Sequence, residues 1–208
     1  MRPLLESIDE EVQIWPSYTD VALNIILILL VYVFAQAVIY SQTSAALVAI
    51  GQHQETLRGE VLAAVPAALR GSVGIAADGN LLRIRFSDRV LFDLADANLK
   101  EEGQKLLAVL GTVLKRHLSS FSQIQIEGHT DNAPIKTARF ASNWELSSAR
   151  ATSVVRFLQD SAAIEAGRLS ATGYAEYHPV DAGETPEARA RNRRIEMLIV
   201  YTTRKETP

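Results

Sequence analysis

A carboxylate at the head of a long apolar run is the first residue of chemical interest in this chain. Asp20 directly precedes Val21–Tyr40, VALNIILILLVYVFAQAVIY, in which only Asn24 and Gln36 are strongly polar. Two roles suit it. Ser17-Tyr18-Thr19-Asp20, after Pro16, matches the S-x-x-D capping box, so Asp20 would satisfy free N–H groups at a helix start. Alternatively, a carboxylate held among membrane helices sheds its water, and desolvation disfavours its bare charge. It then takes up a cation from one side and releases it to the other, which is why ionisable groups in membranes are functional by default. Asn24 lies one turn on and shares the face. The two roles are compatible, and the segment leaves both open.

Reactive residue types elsewhere do not assemble into a catalytic set. The four histidines, His53, His117, His129 and His178, have no metal-ligand spacing, and there is no H-E-x-x-H. No G-x-S-x-G accompanies the serines, and no glycine-rich phosphate loop is present. Cysteine is absent, which removes thiol nucleophiles, cysteine zinc sites and disulfides. The expectation is a protein that is not an enzyme and holds no metal. Arg189, Arg191, Arg193 and Arg194 form a basic cluster. Residues 61–208 nevertheless carry 19 basic against 17 acidic groups, too balanced for a nucleic-acid footprint, so the cluster reads as a solvated edge together with part of a ligand site.

The elements that position these residues follow from hydropathy. Between Asp20 and Glu55 lie 34 residues without Asp, Glu, Lys or Arg. A helix of about 20 residues spans about 30 Å, the thickness of a hydrocarbon core. Ala35-Gln36-Ala37 mimics a signal-peptide cleavage site, but the preceding residues hold Arg2 against Glu6, Asp9, Glu10 and Glu11. A signal peptide wants a positive start and a shorter apolar stretch, so a retained transmembrane helix is expected. Beyond it, Leu47, Ile50, Leu57, Val61 and Val65 form a narrow helical stripe. Such a stripe suits either a two-helix seam or a helix lying on its own domain.

From Val73 the pattern alternates. Leu82, Ile84 and Phe86 mark a strand, followed by a helix over about 99–118 with Leu106, Leu107, Leu110, Val113 and Leu114 on one face. Ile124 and Ile126 mark a strand ending in Gly128-His129-Thr130-Asp131. Ser142-Asn143-Trp144-Glu145 opens a helix as a capping box, and strands follow over 168–174 and 194–201. The fold class is α/β, with helices packed on one face of a mixed sheet.

Ile124–Asp131, then Ser142–Ser147 with Arg150-Ala151, then Gly173-Tyr174, then Asn192-Arg193-Arg194-Ile195-Glu196, resembles the OmpA-like peptidoglycan-binding domain over roughly residues 80–202. Asn143-Trp144-Glu145-Leu146-Ser147 is most similar to the MotB branch, and Tyr18-Thr19-Asp20 before one membrane helix is similar to MotB-type stator subunits. The resemblance implies a short cytoplasmic tail (1–16), a transmembrane helix (17–40), a periplasmic connector helix (41–72) and an OmpA-like domain (73–208) in the bacterial inner membrane. It implies a diaminopimelate ligand, with Asp131 taking its ammonium, Arg150 its carboxylate, and Asn143 and Arg193 in support. An arginine fork suits a carboxylate because it makes two charge-assisted bonds. Without the resemblance, Asp131 and Arg150 would read as a surface salt bridge.

The implied assembly is a homodimer inside a ring of multi-helix MotA/ZorA-like subunits, with H⁺ or Na⁺ as the transported ion and no other cofactor. MotB-type flagellar subunits usually have a basic tail and a long connector. Here residues 1–60 hold two basic groups against seven acids, and the connector is short. Both features are more similar to ZorB subunits of Zorya anti-phage defence motors. The competing expectation is a passive tether, with a wall-binding domain and no ion flux.

Overall fold

The computed structural model describes residues 3–202, with side chains from Tyr18 to Thr202. The expected cytoplasmic tail therefore lies outside the residues whose side chains are described. Two compact units divide the chain, residues 1–47 and 48–208. Helix α1 (Pro3–Ala64) begins well before the apolar run. The capping role expected for Asp20 is thereby corrected: the residue lies inside a helix, where no free N–H groups remain to cap. Leu4, Leu5, Glu6, Glu10, Glu11 and Gln13 favour a helix there, and a helix once nucleated propagates at little cost. Along the apolar run the large side chains are exposed, Phe34 at 71% and Tyr40 at 76% among them. By length and composition this helix can cross a membrane.

The second unit opens on the last turns of α1. Leu57 and Val61 are fully buried, Ile50 and Val65 nearly so, and all four join the main core. The apolar stripe thus serves a helix lying on its own domain. Gln54 donates to the carbonyls of Gly79 and Leu81 at 3.1 and 3.2 Å, and Glu60 meets His117 at 3.0 Å and Arg116 at 2.9 Å. After a 3-10 turn over Ala67–Ser72 come β1 (Val73–Asp78) and β2 (Leu81–Ser87), a hairpin turned at Gly79, whose φ is 57°. A short helix, α2 (Asp88–Leu91), leads to a loop and then α3 (Glu101–Arg116).

Strand β3 (Gln123–His129), helix α4 (Asn143–Asp160), strand β4 (Leu169–Gly173), helix α5 (Pro186–Asn192) and strand β5 (Arg194–Val200) complete the domain. The five strands run in the order β1-β2-β5-β3-β4, with only β3 and β4 parallel. Period-two alternation aims Leu82, Ile84 and Phe86 of β2, Ile124 and Ile126 of β3, and Ile195, Met197 and Ile199 of β5 into the core. There they meet Leu106, Leu107, Leu110 and Leu114 of α3 and Ala151, Val154 and Leu158 of α4. The mixed α/β class expected from the pattern is the one observed.

Two glycines set how closely α4 approaches the sheet. A Cβ on Gly128 would collide with the backbone of Ser147, and one on Gly173 with Ser148 and the Ser147 hydroxyl. The Ser147 hydroxyl donates to the Trp144 carbonyl and accepts from the Ala175 N–H, each at 3.1 Å. That seat fixes the first turns of α4 beside the end of β3.

Candidate functional site

Four charged groups converge where β3, α4 and the α5–β5 junction meet. Asp131 follows the end of β3 and is 8% exposed. One of its oxygens accepts the Ala133 N–H at 3.2 Å, closing a tight turn, and the other accepts from Nη1 of Arg193. Asn143, at the start of α4, donates to the carbonyls of Ala133 (3.1 Å) and Asp131 (3.4 Å). It clamps the turn that presents the carboxylate. The hydroxyl of Ser142 accepts the Trp144 N–H at 3.2 Å and bonds Glu145, so the expected capping box starts α4 here.

Arg150 lies two turns further along α4 and is 2% exposed. Its Nε donates to the Asp96 carbonyl (2.8 Å), Nη2 to the Asp93 carbonyl (3.2 Å) and Nη1 to Oδ2 of Asp88 (3.1 Å). The guanidinium also sits 5.2 Å from the Phe92 ring centre. Those bonds commit three of the five N–H groups a guanidinium offers. Asp88 is 3.8 Å from Nε of Arg193, which links the two halves of the cluster. The direct Asp131–Arg150 salt bridge is corrected: each group takes another partner. The reason is topological. Asp88, at the end of β2, stands closer to Arg150, and β5 brings Arg193 to Asp131.

All four residues singled out in the sequence, Asp131, Asn143, Arg150 and Arg193, are thus brought into one network, and Asp88 is the member that sequence reasoning missed. Its signal was slight: an acid one residue past a strand reads as a surface turn, yet it is 6% exposed. Burial pushes the Asp88 carboxyl above the usual range, while the charges of Arg150 and Arg193 draw it back. Burial likewise lowers the Arg150 guanidinium against the pull of Asp88. Oδ1 of Asp88 has no hydrogen-bond partner although buried. Two acids and two arginines give a neutral but dipolar site, which suits a zwitterionic ligand able to exchange ion-pair partners with it.

A second cluster faces the open side of the sheet. Ligand atoms of Glu127, His129 and Glu196 lie within 4.8 Å of one another, the one grouping among the described residues with metal-like spacing. Glu196 is taken up by Arg83, Arg85 and Arg194, whose charge repels a cation. His129 is buried, stacked on Tyr174 with ring centres 5.3 Å apart, and burial lowers its basicity. The Glu196 carboxylate here is the hub of an arginine–glutamate network.

Comparison with known proteins agrees with the geometry. The OmpA family model matches residues 91–193. Motility protein B of Bacillus subtilis is 38% identical over 126 residues, 61% of this chain and 48% of that protein, so the chain spans about half the length of this relative. A MotB-like protein of Desulfovibrio vulgaris superposes with a TM-score of 0.69 at 29% identity, covering 76% of this chain and 98% of that one. The cell wall anchor of the T6SS from Pseudomonas aeruginosa gives a TM-score of 0.61 at 32% identity, covering 68% and 95%. Motif order, sheet topology and the cross-paired charge cluster lead to one assignment: the chain belongs to the OmpA family, as a MotB-like member with an apolar N-terminal helix.

Proposed function

We propose that this chain is the wall-anchored, B-type subunit of an ion-driven motor in the bacterial inner membrane, conducting H⁺ or Na⁺ past Asp20 and gripping peptidoglycan through residues 73–208. The observation that carries the motor reading is the position of Asp20. It sits within an unbroken helix, at the edge of an apolar stretch long enough to span a bilayer, and has no helix end to cap. A carboxylate there costs stability in a simple anchor and is useful to an ion carrier. Similarity to Motility protein B supports the same reading.

At the wall site, the side-chain end of diaminopimelate offers an ammonium and a carboxylate on one carbon. Asp131 exchanges Arg193 for the ammonium, and Arg150 turns its uncommitted N–H groups to the carboxylate. Asn143 holds the Asp131 turn, and Arg193 stays near as the displaced partner. In the assembly, two copies sit inside a ring of multi-helix MotA/ZorA-like subunits, with the C-terminal domains in the periplasm. The acidic tail and short connector favour a Zorya-type anti-phage motor over a flagellar one.

A passive tether is the second reading, favoured by the likeness to a cell wall anchor. Proteoliposomes holding the full chain and its multi-helix partner separate the two. Asp20→Asn keeps the side-chain size but cannot carry a proton, so ion flux is expected to vanish while the complex still assembles. Undiminished flux in that variant rejects the ion-carrier role. In parallel, Asp131→Ala is expected to reduce sedimentation with purified peptidoglycan, and full co-sedimentation rejects the wall site.

A further inference from the structure

The open face of the sheet carries charge that wall binding leaves unused. Glu196 of β5, fully buried, accepts from Arg83, from Nε of Arg85 at 3.0 Å and from Nε of Arg194 at 2.6 Å. One carboxylate thus stands among three guanidiniums. Burial opposes its ionisation, but the bonds and charges of Arg194, Arg83 and Arg85 prevail and hold it at about 2. Arg194 is lowered by burial and by the like charges of Arg85 and Arg83, against the pull of Glu196. Glu127, the next carboxylate across the face, is engaged by the Tyr174 hydroxyl.

Where this face meets α5, a cavity of about 480 Å³ opens. Arg85, Arg191, Arg193 and Arg194 line it with Ser72 and Ser87, and none of its lining residues is acidic. Arg194 is buried at 4% exposure while Arg191 stays at the surface, so only part of the basic cluster is a solvated edge. The side chains of Arg85 and Arg191 are 44% and 57% exposed. Arg85 gives its Nε–H to Glu196, while Arg191 reaches Asp181 through Nε and Nη2.

We propose that this cavity binds a phosphate ester carried on a sugar- or polyol-sized molecule. Guanidiniums reach it from β2, from α5 and from the start of β5. A carboxylate offers two acceptor oxygens, whereas a phosphate monoester offers three and carries more charge, so it suits a cavity that several guanidiniums reach. The volume exceeds that of phosphate alone, and Ser72 and Ser87 supply hydroxyls for a polyol. An anion here also relieves the repulsion between Arg85 and Arg194, which line the cavity and share one carboxylate.

The test is calorimetric titration of the full chain in uncharged detergent with glycerol 3-phosphate, inorganic phosphate and acetate. Glycerol 3-phosphate is expected to bind tightest and acetate not at all. Arg85→Gln and Arg191→Gln should each weaken phosphate-ester binding about tenfold, the effect of losing one charge-assisted hydrogen bond. Both should leave peptidoglycan sedimentation unchanged, since neither touches Asp131 or Arg150. Thermal melting checks the fold of Arg85→Gln, and if that variant unfolds, Arg191→Gln decides. No saturable heat, acetate binding as tight as the ester, or unaltered affinity in the folded variants would overturn the proposal.

Discussion

Glu196→Gln removes one charge and almost no volume at the centre of the sheet. The side chain is fully buried, and its carboxyl is lowered from 4.5 to about 2. At 1.36 kcal/mol per pH unit, that depression means the fold favours the ionised form by about 3 kcal/mol. Because the folded value lies below the unfolded one, this stabilisation is complete above pH 4.5 and disappears as the pH falls from 4.5 toward 2. The glutamine variant lacks it at every pH and leaves Arg83, Arg85 and Arg194 without their shared carboxylate. For a chain of this size the loss corresponds to a fall in Tm of roughly 6–12 °C at neutral pH. The assay is thermal unfolding of the full chain in uncharged detergent, wild type against variant, from pH 7 to pH 2.5. Asp88 contributes with the opposite sign, since its carboxyl is raised, and it cancels in the comparison. The two Tm curves should converge as the pH drops below 4.5. Curves that stay parallel through that range, or a variant that melts with wild type at pH 7, would refute the linkage.

Two further outcomes follow from packing and from the charge cluster. Leu57→Ala should cost about 2–5 kcal/mol in denaturant unfolding, because Leu57 is fully buried and the sheet cannot close on the gap, whereas Leu47→Ala, 59% exposed at the parent residue, should change little. Equal effects would return the stripe to a helix–helix seam. Arg150→Lys should keep a cation beside Asp88 yet lose the fan of bonds to Asp93 and Asp96, so the fold persists while peptidoglycan sedimentation falls. Wild-type sedimentation by this variant would mean that charge alone suffices there.

Much of the domain was legible because periodicity is local. The alternation of Leu82, Ile84 and Phe86 and the five-residue face from Leu106 to Leu114 admit one reading each. The stripe through Leu57 and Val61 was ambiguous, since a partner helix and a sheet accept the same helical face. Of the two roles open to Asp20, the cap fails because S-x-x-D is a local signature and cannot reveal that a helix is already running through it. At the charge cluster the sequence named four of the residues but not their pairing. Arg150 and Asp88 are 62 positions apart, and only the folded domain, which brings the start of α2 beside α4, makes them partners. Helix α5 went unread because it is short, although Thr185, which accepts the Ala188 N–H, and Pro186 mark its start.

The central place of β5 bears on how the domain is made. It is the last strand of the sheet to be synthesised, yet it bridges the β1–β2 hairpin and the β3–β4 pair. Until it arrives, those two pieces face each other across a gap with unpaired edges. Closure therefore waits on contacts of long sequence separation, the kind that slow folding and prolong vulnerability to aggregation. A ribosome stalled or a chain clipped between Gly173 and Arg194 would release not a weakened domain but two orphaned half-sheets, exposed to chaperone capture or proteolysis.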